Sequence, residues 1–163
     1  MCFCEVFPPL DLIYFIKGNS IFFWNYNTNT QSIFNDIPEQ IHKTHITFPK
    51  PQIFTSEVNY IMIVATIPNI YVLLLIVSPK GNIEVHKSDI IYNNNSIITS
   101  IVSTVQRRIF MGSVNNKIWE FDYQNAASSK LSMLFGFGVN KRKAFTITRA
   151  KQSYFENIFP FCF

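Results

Sequence analysis

The sequence predicts an all-β fold: a partial β-propeller, an arc of about three blade-like antiparallel sheets with few helices. Three observations predict it. A strand pair recurs at almost constant spacing, the composition favours strands, and no apolar stripe of helical period runs through the chain.

The repeat is the strongest of the three. Residues 21–26 read Ile-Phe-Phe-Trp-Asn-Tyr, and residues 118–123 read Ile-Trp-Glu-Phe-Asp-Tyr. Each follows an apolar strand and a short polar turn: 13–16 before Gly18-Asn19-Ser20, and 109–111 before Asn115-Asn116. Residues 61–65, Pro68-Asn69 and 70–75 have the same shape. With Ile21, Ile70 and Ile118 equivalent, the spacings are 70 − 21 = 49 and 118 − 70 = 48 residues. A period of roughly 40–50 residues built from short strands is the signature of propeller blades.

Composition agrees. The 163 residues are 48% hydrophobic and 16% aromatic, rich in Ile, Phe, Tyr and Asn. β-branched and aromatic side chains pack well on a pleated surface. Biased nucleotide composition of the gene is an equal explanation for the Asn and Ile. A chain of this length suits one domain, 1–163, burying roughly 70% of its unfolded surface. Charged residues are 15%, below the ~25% of ordinary soluble domains, so some apolar surface is left for a partner.

In order along the chain, residues 10–16 and 20–26 form the first strand pair, 27–30 a turn and 31–34 a short outer strand. Residues 36–43 hold Pro38 and read as a connector. Residues 47–54 carry Pro49-Lys50-Pro51, which lacks the amide donors of a central strand and reads as an extended linker between blades. Residues 61–66 and 70–78 form the second pair, 79–82 a turn, 83–86 an outer strand and 93–95 a loop. Residues 97–105 form a strand, and 108–111 with 117–123 the third pair. The blade-like repeats thus lie around 10–36, 58–87 and 97–124. After a turn at 124–129, the tail 130–163 holds short strands or a helical turn at 152–157.

Residues 60–77 are an 18-residue, mostly apolar run, near the lower limit for a membrane-spanning helix. Pro68-Asn69 breaks it into two strand-length halves, so two buried strands are the better reading.

Charge and cysteines exclude several functions. The net charge of +4 is scattered apart from Lys141-Arg142-Lys143, which reads as a solvated turn rather than a nuclear-import patch. No basic stripe with interleaved aromatics supports direct nucleic-acid binding. Cys2, Cys4 and Cys162 give neither a disulfide framework nor a zinc spacing, consistent with a reducing compartment. Residues 1–10 lack the cationic start and apolar core of a secretory signal.

No catalytic constellation emerges. Gly-x-Ser-x-Gly, phosphate-binding glycine loops and His-Glu-x-x-His are absent from the sequence. His42 and His45 form His-x-x-His in a connector with no Cys or carboxylate beside them, so no metal site is expected. His86 reads as an exposed strand residue, and Glu84 with Asp89 forms no acid–base pair. Phe135-Gly136-Phe137-Gly138 reads as a turn whose glycines supply positive φ. The expectation is no enzyme, no catalytic, cofactor or metal residue, no cofactor and no small-molecule substrate.

Three stretches resemble a known family, the N-terminal β-propeller of the 155-kilodalton inner-ring scaffold nucleoporins. Residues 21–26 are similar to the family's Trp-Asn-Tyr strand. Pro49-Lys50-Pro51, Ile53-Phe54, residues 60–66 and Ile70 resemble its Lys-Pro, Ile-Phe, strand and Ala-Thr-Pro run. Arg108-Ile109-Phe110-Met111-Gly112 leading to Tyr123-Gln124 resembles its Arg-Ile-Phe, Gly, Tyr-Gln ending. The resemblance covers roughly residues 10–130. It implies a structural constituent of the nuclear pore complex at the nuclear envelope, serving nucleocytoplasmic and protein transport by docking other scaffold nucleoporins. Family members continue into further blades and a C-terminal α-solenoid, so the chain reads as a truncated fragment. The resemblance also places any contact with the pore membrane in a loop at 78–95, shorter here than in the family. Arg107-Arg108 replaces the family's Asp/Asn-Gly turn. A cytosolic propeller adaptor and a small protein anchored through residues 60–77 are the alternatives.

Overall fold

The computed structural model describes residues 2–79 and 81–123. The turn at 124–129, the tail 130–163, the Lys141 cluster, the Phe135–Gly138 motif and Cys162 lie outside the described residues. Among the described residues, eleven strands form three antiparallel sheets. The first sheet runs β1 (Cys2–Phe7), β2 (Leu12–Lys17), β3 (Ser20–Asn25) and β4 (Thr30–Phe34). The second runs β5 (Lys43–Thr47), β6 (Tyr60–Ala65), β7 (Asn69–Val77) and β8 (Ile83–Asn93). The third runs β9 (Ile98–Ser103), β10 (Ile109–Ser113) and β11 (Ile118–Glu120). Spatial order follows chain order, so each sheet is a meander, and the three form an open arc. The described helical content is one 3-10 turn, Pro8–Leu10.

The recurring pair is the hairpin formed by the second and third strands of each sheet. Ile21 pairs with Ile16 and Ile70 with Ala65, and all four are buried. The third hairpin differs by one residue. Its pair Gly112–Ile118 is six apart, where 16–21 and 65–70 are five apart. A one-residue change of register exchanges the faces of a strand. Ile118 is therefore 37% exposed, while Trp119 pairs with buried Met111 and packs on the core.

The second sheet is covered on both sides. Met62, Val64, Tyr71, Leu73 and Leu75 face the first sheet, against Leu12, Tyr14, Ile16 and Phe23. Ile61, Ile63, Ala65, Ile70 and Val72 face the third, against Ile98, Ile101, Ile109 and Met111. Successive side chains of a strand point to opposite faces, so a strand buried on both reads as continuous apolar sequence. That is the physical origin of the run at 60–77, which is β6, a turn and all of β7. The turn is closed by Thr66, whose amide and hydroxyl donate to the Asn69 carbonyl at 2.8 and 2.7 Å. Among the described residues no helix is long and apolar enough to cross a membrane.

Several sequence expectations are corrected. β1 and β5 were not foreseen. β5 reads Lys-Thr-His-Ile-Thr, with one large apolar side chain, and it buries Thr44 and Thr47. The proline segment is no linker between sheets: residues 48–59 join β5 to β6 within the second sheet. The inter-sheet connection is 35–42, where Ile37 and Ile41 are buried. The outer strand expected at 83–86 runs on to Asn93, through most of the expected 78–95 loop. Its register shift against Tyr71–Leu73 is filled by Ser88, whose hydroxyl donates to the Val72 carbonyl at 2.7 Å.

Burial on both faces sets a testable asymmetry. Ile63→Ala should lower unfolding stability by about 2–5 kcal/mol. Ile33→Ala, at a position 62% exposed, should change it by less than ~0.5 kcal/mol. Urea denaturation of the two variants gives the comparison.

Candidate docking surface

Polar clips at the sheet junctions hold the arc in shape. Between the first and second sheets, the Ile41 amide donates to the Gly18 carbonyl at 3.0 Å, and Asn19 Nδ2 to the Ile37 carbonyl at 2.9 Å. Gly18 sits at φ +65° in the β2–β3 turn, a conformation natural to glycine. Glu5 accepts from the Tyr14 hydroxyl at 2.5 Å and from Lys43 Nζ at 2.9 Å. Burial opposes the charged form of Glu5. The bonds from Tyr14 and Lys43, with the Lys43 charge, outweigh it and hold the carboxyl below its ordinary value. Burial, reinforced by Glu5, pushes the Tyr14 phenol up.

Between the second and third sheets, His45 Nε2 lies 2.9 Å from Ser103 Oγ. The proline segment is gripped from the third sheet. The Lys50 amide donates to the Tyr123 hydroxyl at 2.9 Å, Lys50 Nζ pairs with Asp122, and Arg107 Nη1 donates to the Pro49 carbonyl at 2.9 Å. Burial raises the Tyr123 phenol to about 12, so it stays protonated. Near the 66–69 turn, Glu39 accepts from Tyr71 at 2.7 Å and from Asn69 Nδ2 at 2.7 Å. Burial, then the bond to Glu39, takes Tyr71 to about 12.

The surface left by these clips is apolar in two places. An aromatic ridge crosses the first junction. Tyr60 meets Phe7 edge-on at 5.2 Å between centroids, and Phe48 leans on Tyr60 at 5.0 Å. Phe48 is 51% exposed, just after β5. The second place is the outer face of the first sheet. Register aligns Cys4, Phe15, Phe22 and Ile33 across all four strands. The next row is Val6, Ile13, Trp24 and Gln31. The outer face of the third sheet is more polar. Arg108 lies over Phe110 and binds Glu120 through two hydrogen bonds of 2.7 and 2.8 Å.

Neither imidazole of the His-x-x-His pair meets a metal-ligating cluster: among the described residues no group of three or more His, Cys, Asp or Glu could hold a metal ion. His86 lies exposed on β8, 3.6 Å from Glu84. A cleft of about 70 Å³ beside Leu12, Phe23 and Ile83 is far below the ~300 Å³ of small-molecule sites. The sequence did not reveal the ridge, because Phe7, Phe48 and Tyr60 come from three separate segments.

Face-packed antiparallel meanders, with polar clips at their junctions, define a propeller-type arrangement of blades among the described residues. The nucleoporin family model described as Nup133 N terminal like matches residues 1–141, and the chain belongs to that family. It is similar to a probable nucleoporin of Schizosaccharomyces pombe, 26% identical over 130 residues, 76% of this chain and 10% of that protein. It is similar also to the Nuclear pore complex protein Nup154 of Drosophila melanogaster, 24% identical over 132 residues, 78% of this chain and 10% of that protein. The chain thus spans about a tenth of the length of these curated relatives. Its fold matches the N-terminal domain in the crystal structure of the Chaetomium thermophilum Nup170 NTD–Nup53 complex. The TM-score is 0.68 and the identity 19%, over 90% of this chain and 21% of that one.

The His45 contact predicts a pH dependence. Burial lowers His45 from its ordinary value of 6.5, against the opposing Glu5 charge. Below pH 6.5 the unfolded chain binds a proton that the folded chain does not, so stability falls as pH drops through the folded value. His45→Gln should flatten that part of a stability–pH curve measured by urea unfolding, leaving the loss from Glu5 at lower pH.

Proposed function

We propose that the chain is a structural constituent of the nuclear pore complex, in its inner-ring scaffold, acting by protein–protein docking and not by catalysis. Residues 1–163 serve as an N-terminal propeller fragment, and the three sheets as successive blades. The observation that carries this reading is the family match over residues 1–141, laid on an arc that presents apolar ridges and faces. The neighbouring nucleoporins of the scaffold are its partners at the nuclear envelope. The structural neighbour, a Nup170 domain in complex with Nup53, supports a nucleoporin partner. The reading includes no role for nucleic acid, metal or cofactor.

The aromatic ridge is the docking point on this reading. An exposed aromatic beside half-buried rings is the usual anchor of a binding hot spot. Phe48→Ala should leave stability nearly unchanged and weaken binding of scaffold nucleoporins about tenfold or more, read by calorimetry with purified candidates. Imaging of the endogenously tagged protein tests the assignment itself. A punctate ring around the nucleus is the expected result. A diffuse cytosolic pattern would move the protein to the adaptor reading and overturn this one.

A further inference from the structure

The segments that follow the first strand of each sheet meet at one end of the arc. After β1 comes Pro8–Leu10, after β5 the segment from Phe48, and after β9 a turn in which the Arg107 amide donates to the Thr104 carbonyl at 2.9 Å. Contacts join them into one strip. Phe7 and Phe48 both lean on Tyr60, and Arg107 Nη1 donates to the Pro49 carbonyl at 2.9 Å. The strip runs across both sheet junctions, from the exposed Pro8-Pro9 to Val105, which is 96% exposed beside Arg107. It is made of strand ends and turns, not of a sheet face, so a further sheet packed on either side of the arc would leave it open.

The charge on this strip is one-sided. Lys50 is already paired with Asp122. Arg107 meets no carboxylate within ion-pair distance among the described residues. Its side chain makes one hydrogen bond, to Pro49, and a guanidinium has five N–H donors. The exposed Glu57 of the same 48–59 segment does not pair with it.

We infer that the strip docks an extended peptide segment carrying a carboxylate close to an aromatic or aliphatic side chain. The carboxylate meets Arg107 and the apolar side chain meets Phe48. The inference rests on the ridge being the docking point and adds the chemistry of what docks there. A guanidinium fork matches a carboxylate with two parallel hydrogen bonds. The bond to Pro49 holds the Arg107 side chain against the strip, so little freedom is lost when a ligand arrives. A strip built from turns, with rings at its centre and one cation at its side, fits a linear segment better than a broad protein face.

Selection of random linear peptides displayed on phage, with the full chain as target, tests this. The expected peptides share an aromatic or aliphatic residue with an Asp or Glu nearby in sequence. Anisotropy titrations of a selected peptide then separate the contributions. Replacing its carboxylate by the amide should weaken binding about tenfold or more. Arg107→Gln should weaken it as much and abolish the difference between acid and amide, and Arg107→Lys should restore part of it. Glu57→Gln should not weaken it. Should Arg107→Gln unfold, judged by circular dichroism, the acid–amide comparison on the unmodified chain still decides. Peptides that need Phe48 but bind equally well as acid and amide overturn the inference and leave the ridge as the docking point. Peptides indifferent to Phe48→Ala overturn both. A selection that enriches no peptide overturns the linear partner.

Discussion

Burial of both faces of the second sheet is the constraint on which the rest of the structure depends. A strand flanked on two sides by other sheets has no solvent face, so β6 and most of β7 are apolar at every position. Their side chains divide by parity between two cores, one shared with the first sheet and one with the third. The outer sheets have no such support. Among the described residues each buries one face against the second sheet, and the other carries exposed apolar side chains such as Ile33 and Val102. The polar clips then fix how the sheets sit on one another. Glu5, Lys43 and Tyr14 act at one junction, and Lys50, Asp122, Tyr123 and Arg107 at the other.

Several titratable side chains are engaged at the junctions. His45 is turned to Ser103, Glu5 to Lys43, and Glu39 to Tyr71 and Asn69. Exposed aromatic and aliphatic side chains, among them Phe48, Trp24 and Ile33, stand outward beside polar ones such as Arg108 and His86. The membership in a nucleoporin family and the fold of the Nup170 domain fit such a surface.

Much of the fold was legible in the sequence, for definable reasons. The hairpins β2–β3 and β6–β7 were visible because their strands are apolar and their turns carry Gly18 or Pro68-Asn69. The 48-residue second spacing misplaced the inward position of the third hairpin, because one extra loop residue shifts the inward position from Ile118 to Trp119. β5 escaped notice because its neighbours accept Thr44 and Thr47 in place of large apolar residues. The proline segment gave a true local signal, extended and unable to donate, but no local signal says that Tyr123 lies above Lys50. The aromatic ridge was illegible for the same reason: it exists only once three segments meet.

Residue-resolved amide hydrogen exchange tests the central claim most directly. If the second sheet is packed on both faces, the amides of β6 and β7 exchange only through global unfolding, more slowly than those of β4 and β11. Exchange in β6 as fast as in β4 would mean that the second sheet is not enclosed, and the account of the apolar run, the arc and its outward surfaces would fail with it.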